Sequence, residues 1–374
     1  MYFKDIIGQE EIKQQLIDSA RKGLVPHAQL VYDQGGSGAF PLALAYARYL
    51  NCRKRSDTDA CGHCPSCLKY DELAHPDLHF VFPIVKNERK KKEVCDDYLP
   101  EWRSLLKKQI YFDLDHWLSY LDAGNTQATI YSKESDEIIR KLSLRIYESD
   151  YRILLVWLPE KLQSACANKL LKIIEEPPVN TVILLVSEEP DMILGTIQSR
   201  TQRLNIRAIR TEDMVGALVA NEGLEIEAAR QVAHLAEGNY LKAMNVISVS
   251  EENNFFLEQF KNMMRNSWAR NVKEMKATAD RIAGMGRERQ KKFLAYCQHL
   301  IRENFAYRFV APELNYMNKQ EADFAFKFAP FVNERNVFGL MDELSKAERH
   351  ILQNVNAKMV FFDLSLRITA LIRQ

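Results

Sequence analysis

Four cysteines crowd into sixteen positions of the sequence, and their type and spacing predict a metal site. Thiolates in Cys-x2-Cys spacing bind one ion from a single turn, and four of them close a tetrahedral shell on Zn²⁺ that leaves no position open for catalysis. The alternative is free or packed cysteines, but the surrounding segment is polar and offers no core. The predicted ligands of a structural zinc are Cys52, Cys61, Cys64 and Cys67.

A glycine-rich segment follows the first predicted strand and precedes a helix, which is the position of a phosphate-binding loop. A working loop reads G-x-x-x-x-G-K-[ST], in which the lysine reaches the β and γ phosphates and the hydroxyl binds magnesium. Here Asp, Ala and Phe replace the first glycine, the lysine and the hydroxyl residue. Alone, the pattern does not distinguish a relic from an ordinary turn. The residues concerned are Asp33, Gly35, Gly36, Gly38, Ala39 and Phe40.

The second half of an ATPase site is altered as well. A run of four apolar residues ending in Asp-Glu normally supplies the acid that binds magnesium and the base that activates water. The run that begins at Leu154 continues instead into Trp157 and Leu158, and Glu160 lies two positions beyond the place of the base. Because both halves are altered in one chain, we predict that this protein does not hydrolyse ATP.

Hydrophobic patterning predicts an α/β fold followed by an all-α region. Residues 1–207 alternate apolar strand-like runs with helical patterns, which is typical of a parallel sheet. The predicted strands are Gln29–Tyr32, Leu78–Phe82, Ile153–Leu158, Val182–Ser187 and Leu204–Ile206. Residues 208–250 and 251–374 have helical patterns, the latter those of a bundle. A segment at about 86–128 is interpreted as an insertion, whose lysine-rich start fits a solvated loop or a DNA-contacting patch.

Composition limits the class of protein. The 374 residues are 47% hydrophobic and 27% charged, which favours two or three globular domains. A formal net charge of +1 argues against a protein that binds polyanions over its whole surface, so any DNA contact would come from local patches or partners. No stretch approaches the roughly 20 apolar residues that cross a bilayer. We therefore expect a cytoplasmic protein without a membrane partner.

The segment after the third predicted strand resembles bacterial clamp-loader subunits of the AAA+ family. Residues 168–178 (NKLLKIIEEPP) are similar to the family's N-x-L-L-K-x-x-E-E-P-P helix, and residues 190–200 are similar to its P-x(5)-T-I-x-S-R segment. Ile7–Glu10 and His75–Asp77 also match. The resemblance implies an AAA+ α/β domain at 1–207 with a zinc module at about 52–67. It also implies a helical lid at 208–250 and a helical collar at 251–374.

Two kinds of subunit share these motifs, the ATP-hydrolysing gamma/tau motor and the delta-prime stator. The altered nucleotide motifs resemble the delta-prime type, which commonly lacks the lysine and the acids. The resemblance implies a non-catalytic subunit of the bacterial DNA polymerase III clamp loader. It would act with gamma/tau and delta subunits to load the sliding clamp onto primed DNA. An active gamma/tau-type ATPase and a separate zinc-containing DNA-binding protein with an AAA+ relic are the alternatives.

The resemblance also gives a role to Arg200, which follows Ser199 at the position of an arginine finger. Such a residue stabilises charge on the γ-phosphate of a neighbouring subunit's nucleotide. Without the resemblance, an ordinary surface or helix-capping arginine is the simpler interpretation. Thr201 replaces the family's cysteine and Leu241 its lid arginine. Both departures point away from nucleotide handling by this chain.

Overall fold

The computed structural model describes residues 1–86, 92–124, 126–306 and 319–373. The chain divides into two compact units, Met1–Val246 and Ile247–Gln374. The predicted boundaries of the α/β domain, its inserted modules, the lid and the collar stay predictions. Most of the lysine-rich run, residues 87–91, lies outside the described residues.

The first unit is built on a five-stranded parallel sheet with the strand order β2-β3-β4-β1-β5. Every residue of β3 and β4 is buried, as expected for strands that helices cover on both faces. The coarse prediction of a parallel α/β fold followed by helices is therefore confirmed. The strands are β1 (Ala28–Tyr32), β2 (Leu78–Val81), β3 (Arg152–Trp157), β4 (Thr181–Ser187) and β5 (Gln202–Asn205).

The predicted strands are correct in position but wrong at several ends. The last strand covers Gln202–Asn205 and not Leu204–Ile206. It lies at the edge of the sheet and three of its four residues are exposed, so no apolar run marks its start. Leu158 lies beyond β3 because its φ of 54° is left-handed and ends the extended backbone.

The helices of the first unit are α1 (Glu10–Arg21), α2 (Ala39–Asn51), α3 (Pro65–Asp71), α4 (Leu99–Lys108), α5 (Leu114–Tyr120), α6 (Ser132–Ser143), α7 (Ser164–Glu175), α8 (Gly195–Gln198), α9 (Thr211–Glu222) and α10 (Ile226–Ala236). Helices α1–α8 lie between or beside the strands in the chain, and α9 and α10 follow β5. The boundary between the two units lies within α11 (Tyr240–Ala269).

The second unit is helical throughout its described residues. Its core is formed by apolar side chains that include Phe260, Phe293 and Phe361, each fully buried. Across the described ranges, no helix combines the length and apolar character that a membrane crossing requires. The remaining helices are α12 (Val272–Ala283), α13 (Arg287–Ala306), α14 (Lys319–Phe328), α15 (Val337–Leu352) and α16 (Ala357–Leu371).

Candidate functional site

The glycine-rich segment lies between β1 and α2, as predicted for a phosphate-binding loop, and a side chain of the segment itself binds its N–H groups. The carboxylate of Asp33 accepts backbone N–H bonds from Gly35 (2.9 Å), Ser37 (3.0 Å) and Ala39 (3.1 Å). Successive N–H groups of this kind form a nest that favours an anion. The group bound at this position is the carboxylate of Asp33 itself.

Aromatic side chains fill the space beside this loop. Phe40 and Trp157, which replace the hydroxyl residue and the acid of an ATPase, lie 6.3 Å apart between ring centroids. Phe112, from the predicted insertion, lies 5.1 Å from Phe40 and 4.9 Å from Trp157. Trp102 from α4 completes the cluster, 5.3 Å from Trp157. Phe40 and Trp157 therefore belong to one hydrophobic core with Trp102 and Phe112 of the predicted insertion.

The cavity that remains at the loop is about 20 Å³ in volume. A water molecule needs about 10–15 Å³ measured in this way, so the cavity has room for one water and none for a nucleotide. Its walls come from the loop, from the strand ends and from residues 110–112. The lining residues are Asp33, Gly36, Gly38, Ala39, Phe40, Pro41, Ile110, Tyr111, Phe112, Trp157, Val186 and Glu188.

The surviving acid, Glu160, has a structural role. One of its oxygens accepts the hydroxyl of Ser187 at 2.9 Å. The other accepts backbone N–H bonds from Glu188 (3.0 Å) and Glu189 (3.2 Å). Glu160 therefore holds the chain where it leaves β4, and Ser187 serves as its hydrogen-bond donor.

Glu188, in the wall of the same cavity, has a strongly raised pKa. Burial raises it first, and the nearby carboxylates of Asp33 and Glu160 raise it further, to about 8. Burial also raises the pKa of Asp33, although the N–H bonds from Ala39 and Gly35 oppose that rise. A pocket in which carboxylates already repel one another is a poor place for a triphosphate.

The four predicted zinc ligands come together at the end of α2 and the start of α3. Their sulfurs all lie within 4.8 Å of one another, and the thiols of Cys61 and Cys67 are 4.0 Å apart. Sulfurs about 2.3 Å from a tetrahedral Zn²⁺ lie about 3.8 Å from one another, so the donor set fits this ion. His63 is exposed, and its Nδ1 lies 2.8 Å from the carbonyl oxygen of Cys61.

Arg200 lies at the surface just beyond α8, next to the end of α7. Its Nε is 3.1 Å from the carboxylate of Glu175, and its Nη1 donates to the carbonyl oxygen of Thr196 at 3.0 Å. Ser199 is also exposed, and its hydroxyl donates to the same carbonyl oxygen at 3.2 Å. The predicted finger is therefore paired with Glu175 of its own chain, and its action in trans stays a prediction.

Two residues that lie outside the motifs and contact the predicted nucleotide site were not identified from the sequence. Tyr111 belongs to no recognisable motif. Its hydroxyl nevertheless accepts the N–H of Ile7 at 3.1 Å and lies against Gly38. Asn239 also belongs to this set, because its side-chain amide donates to the carbonyl oxygen of Gly35 at 2.8 Å. The aromatic richness of residues 102–117 was the one available sign that this segment is buried.

The chain matches the family model described as "DNA polymerase III, delta subunit" over residues 8–210. DNA polymerase III subunit delta' of Haemophilus influenzae is 25% identical over 257 residues, which cover 69% of this chain and 64% of that protein. The same subunit of Yersinia pestis is 29% identical over 188 residues, 50% of this chain and 43% of that protein. The gamma/tau subunit of Mycobacterium bovis is 25% identical over 230 residues, 61% of this chain and 33% of that protein.

The chain thus belongs to the DNA polymerase III clamp-loader family that the sequence motifs predict. The family model that it matches is the one described for the delta subunit. The chain spans from a third to just under two thirds of the length of the relatives named above.

Proposed function

We propose that this chain is the non-catalytic, delta-prime-type subunit of a bacterial DNA polymerase III clamp loader in the cytoplasm. The observation that carries this proposal is that the chain's own side chains fill its nucleotide pocket, leaving about 20 Å³. In this proposal the chain cannot carry out phosphoryl transfer, because Ala39 stands at the position of the lysine, Phe40 at that of the hydroxyl residue, and the cavity is too small for a nucleotide. In this proposal it acts with gamma/tau and delta subunits, the sliding clamp and primed DNA.

The contribution to catalysis that we propose is Arg200, offered to the ATP site of a neighbouring motor subunit. Its surface position supports this role, and in this proposal its exposed ion pair with Glu175 gives way to the neighbour's phosphate. A planar guanidinium with several donors binds phosphate oxygens better than a lysine does. The lid at 208–250 and the collar at 251–374 belong to the same proposal, as does a structural Zn²⁺ held by the four cysteines.

The test is DNA-stimulated ATP hydrolysis by a complex reconstituted from the host's gamma/tau and delta subunits. We expect Arg200→Ala to leave assembly intact and to lower the measured rate, because hydrolysis at the one site that Arg200 serves should slow about tenfold or more. Arg200→Lys keeps the positive charge but lacks the paired N–H donors of a guanidinium, so it should restore little of the rate of hydrolysis. Arg145→Ala, which removes another exposed arginine of the same unit, is the control. An unchanged rate with Arg200→Ala removes the finger assignment.

Two further measurements separate the alternatives. Hydrolysis of ATP by the isolated chain would favour an active gamma/tau-type ATPase. Purification from the host without motor and delta subunits would favour a separate zinc-containing DNA-binding protein.

A further inference from the structure

We propose that the carboxylate of Asp33 is the permanent, intramolecular ligand of this phosphate-type loop, and that the loop so filled holds residues 209–246 in place without a nucleotide. The proposal deepens the non-catalytic role proposed above and rests on it, since it states how the degenerate site is kept in one conformation. It concerns the first unit alone.

The first part of the proposal rests on the N–H groups of the loop. Those of Gly35, Ser37 and Ala39 all point at the two oxygens of Asp33, within 3.1 Å. Asp33 itself is buried, with 6% of its surface exposed. A phosphate would need the same N–H groups, so ligand and carboxylate compete for one site. The glycines that give the loop its left-handed backbone are Gly35 (φ 80°), Gly36 (φ 72°) and Gly38 (φ 107°).

Space gives the second part of the argument. The hydroxyl of Tyr111 would lie 3.3 Å from a Cβ built on Gly38, so this ring covers the mouth of the loop. The same hydroxyl is bonded to the backbone of Ile7. The ring of Tyr240 lies 4.8 Å from that of Tyr111 between centroids. Displacing the carboxylate would therefore also require the movement of a buried aromatic pair.

The third part is a direct connection between the loop and the helices that follow β5. The side-chain amide of Asn239 donates to the carbonyl oxygen of Gly35 at 2.8 Å. The backbone N–H of Tyr240 donates to the carbonyl oxygen of Gly36 at 3.0 Å. These two bonds join the loop to the start of α11 with no ligand between them.

The residue before Asn239 fits the same connection. Gly238 accepts the N–H of Ile209 at 2.9 Å, and a Cβ on Gly238 would lie 2.6 Å from the Cβ of Ala208. Its φ of 80° is left-handed. Only glycine allows this close crossing of the segments before α9 and α11. The contacts of Ile209 and of residues 238–240 are therefore made within the chain itself.

The first experiment is amide hydrogen exchange of the full chain, followed by mass spectrometry, with and without millimolar Mg-ATP or Mg-ADP. We expect residues 33–40 and 209–246 to be protected without nucleotide, and their exchange to be unchanged when nucleotide is added. Protection that appears only with nucleotide overturns the proposal, and so does rapid exchange of the loop amides under both conditions. This measurement needs no variant.

Two glycine variants then test the connection itself. Gly35→Ala and Gly36→Ala impose a similar backbone penalty, because both glycines have left-handed φ. A Cβ on Gly36 would lie 2.2 Å from Oδ1 of Asn239, whereas one on Gly35 would meet Glu188 at an ordinary 3.7 Å. We expect Gly36→Ala to raise exchange across residues 239–246 about tenfold more than Gly35→Ala does. Equal effects overturn the connection.

A third variant tests the carboxylate. Asp33→Asn keeps the shape but replaces one acceptor oxygen by a donor, so we expect about tenfold faster exchange at residues 35–39. Asp150→Asn, at an exposed position of the same unit, should change nothing. No change with Asp33→Asn overturns the proposal. These outcomes are independent of the Arg200 assay, whose failure would remove the finger and leave the exchange results as they are.

Discussion

Two chemical motifs lie at opposite ends of α2 in the first unit, and the structure treats them in opposite ways. In the phosphate-type loop, every loop N–H group named above is bound to Asp33, and side chains occupy the space of a ligand. In the cysteine cluster, four thiols converge within 4.8 Å. The comparison shows how a ligand site can be recognised. Converging polar groups can bind a ligand when the chain's own side chains do not already bind them. Motif letters alone do not reveal this.

Removal of the metal ligands should have the largest effect. Cys64→Ser breaks the four-sulfur shell, and because a structural zinc contributes its binding energy to folding, we expect the midpoint of thermal unfolding to fall by about 10 °C. Metal analysis of the unaltered chain should give about one Zn²⁺ per chain.

Cys166→Ser is the control for metal content, because Cys166 is a buried cysteine in α7 and lies outside the cluster. It should retain the full amount of zinc even if it loses some stability. A metal-free chain with an unchanged unfolding midpoint would show that the cysteine cluster is not a metal site, and the contrast with the loop would disappear.

The second prediction concerns the aromatic filling of the loop pocket. Trp157→Ala should lower the free energy of unfolding by about 3–5 kcal/mol, because it leaves a cavity among packed rings. Urea unfolding followed by circular dichroism measures this. Trp268→Ala removes an indole that is 42% exposed and should cost less than half as much. Equal losses would mean that Trp157 does not act as part of a core.

Glu188 gives a pH-dependent test of the same pocket. Its pKa is raised from 4.5 to about 8, so the folded state retains a proton that the unfolded state loses. Its contribution to stability is therefore present below about pH 4.5 and is lost as the pH rises through 8. We expect Glu188→Gln to be more stable than the unaltered chain by about 1–3 kcal/mol at pH 9 and nearly equal to it at pH 5.

The neighbouring Glu189 is exposed and provides the matched comparison. Glu189→Gln should change stability little at either pH, because water solvates its carboxylate. If both glutamine variants show the same pH profile, the carboxylate repulsion described for the pocket is absent.

The sequence predicted the parts of this molecule that depend on local pattern. The apolar runs of β3 and β4 mark buried strands because both faces are covered, and cysteine spacing marks the four-cysteine cluster because its members are neighbours in the chain. The edge strand β5 lacks such a run, and its bounds were wrong. The absence of ATP hydrolysis, predicted from Ala39 and Trp157, stays a prediction.

What the sequence did not reveal is how the site is filled, because that depends on long-range contacts. Tyr111 reaches Ile7 across 104 positions of the chain, and Asn239 reaches Gly35 across 204. No spacing rule links such residues. The destination of the Asp33 carboxylate also requires the backbone of the loop, since the same residue could have faced solvent.

The smallest expected effect is the most specific test of the contrast between the two motifs. The double substitution Ala39→Lys with Phe40→Thr restores the lysine and the hydroxyl residue of the phosphate-loop motif. We nevertheless expect calorimetry to detect no binding of Mg-ATP at millimolar concentration. Asp33 would still occupy the N–H groups, and Tyr111 would still cover the loop. Because a lysine at buried Ala39 strains the fold, Phe40→Thr alone is measured beside it.

Adding Asp33→Gly to the double substitution provides the comparison, since it frees the loop N–H groups for an anion. Phosphate binding that appears only after this third change would identify Asp33 as the group that keeps the loop closed. Tight Mg-ATP binding by the double variant would instead mean that the missing lysine and hydroxyl were the sole defect. The carboxylate and the aromatic rings would then yield to a nucleotide, and the loop would resemble the cysteine cluster in accepting a ligand from outside.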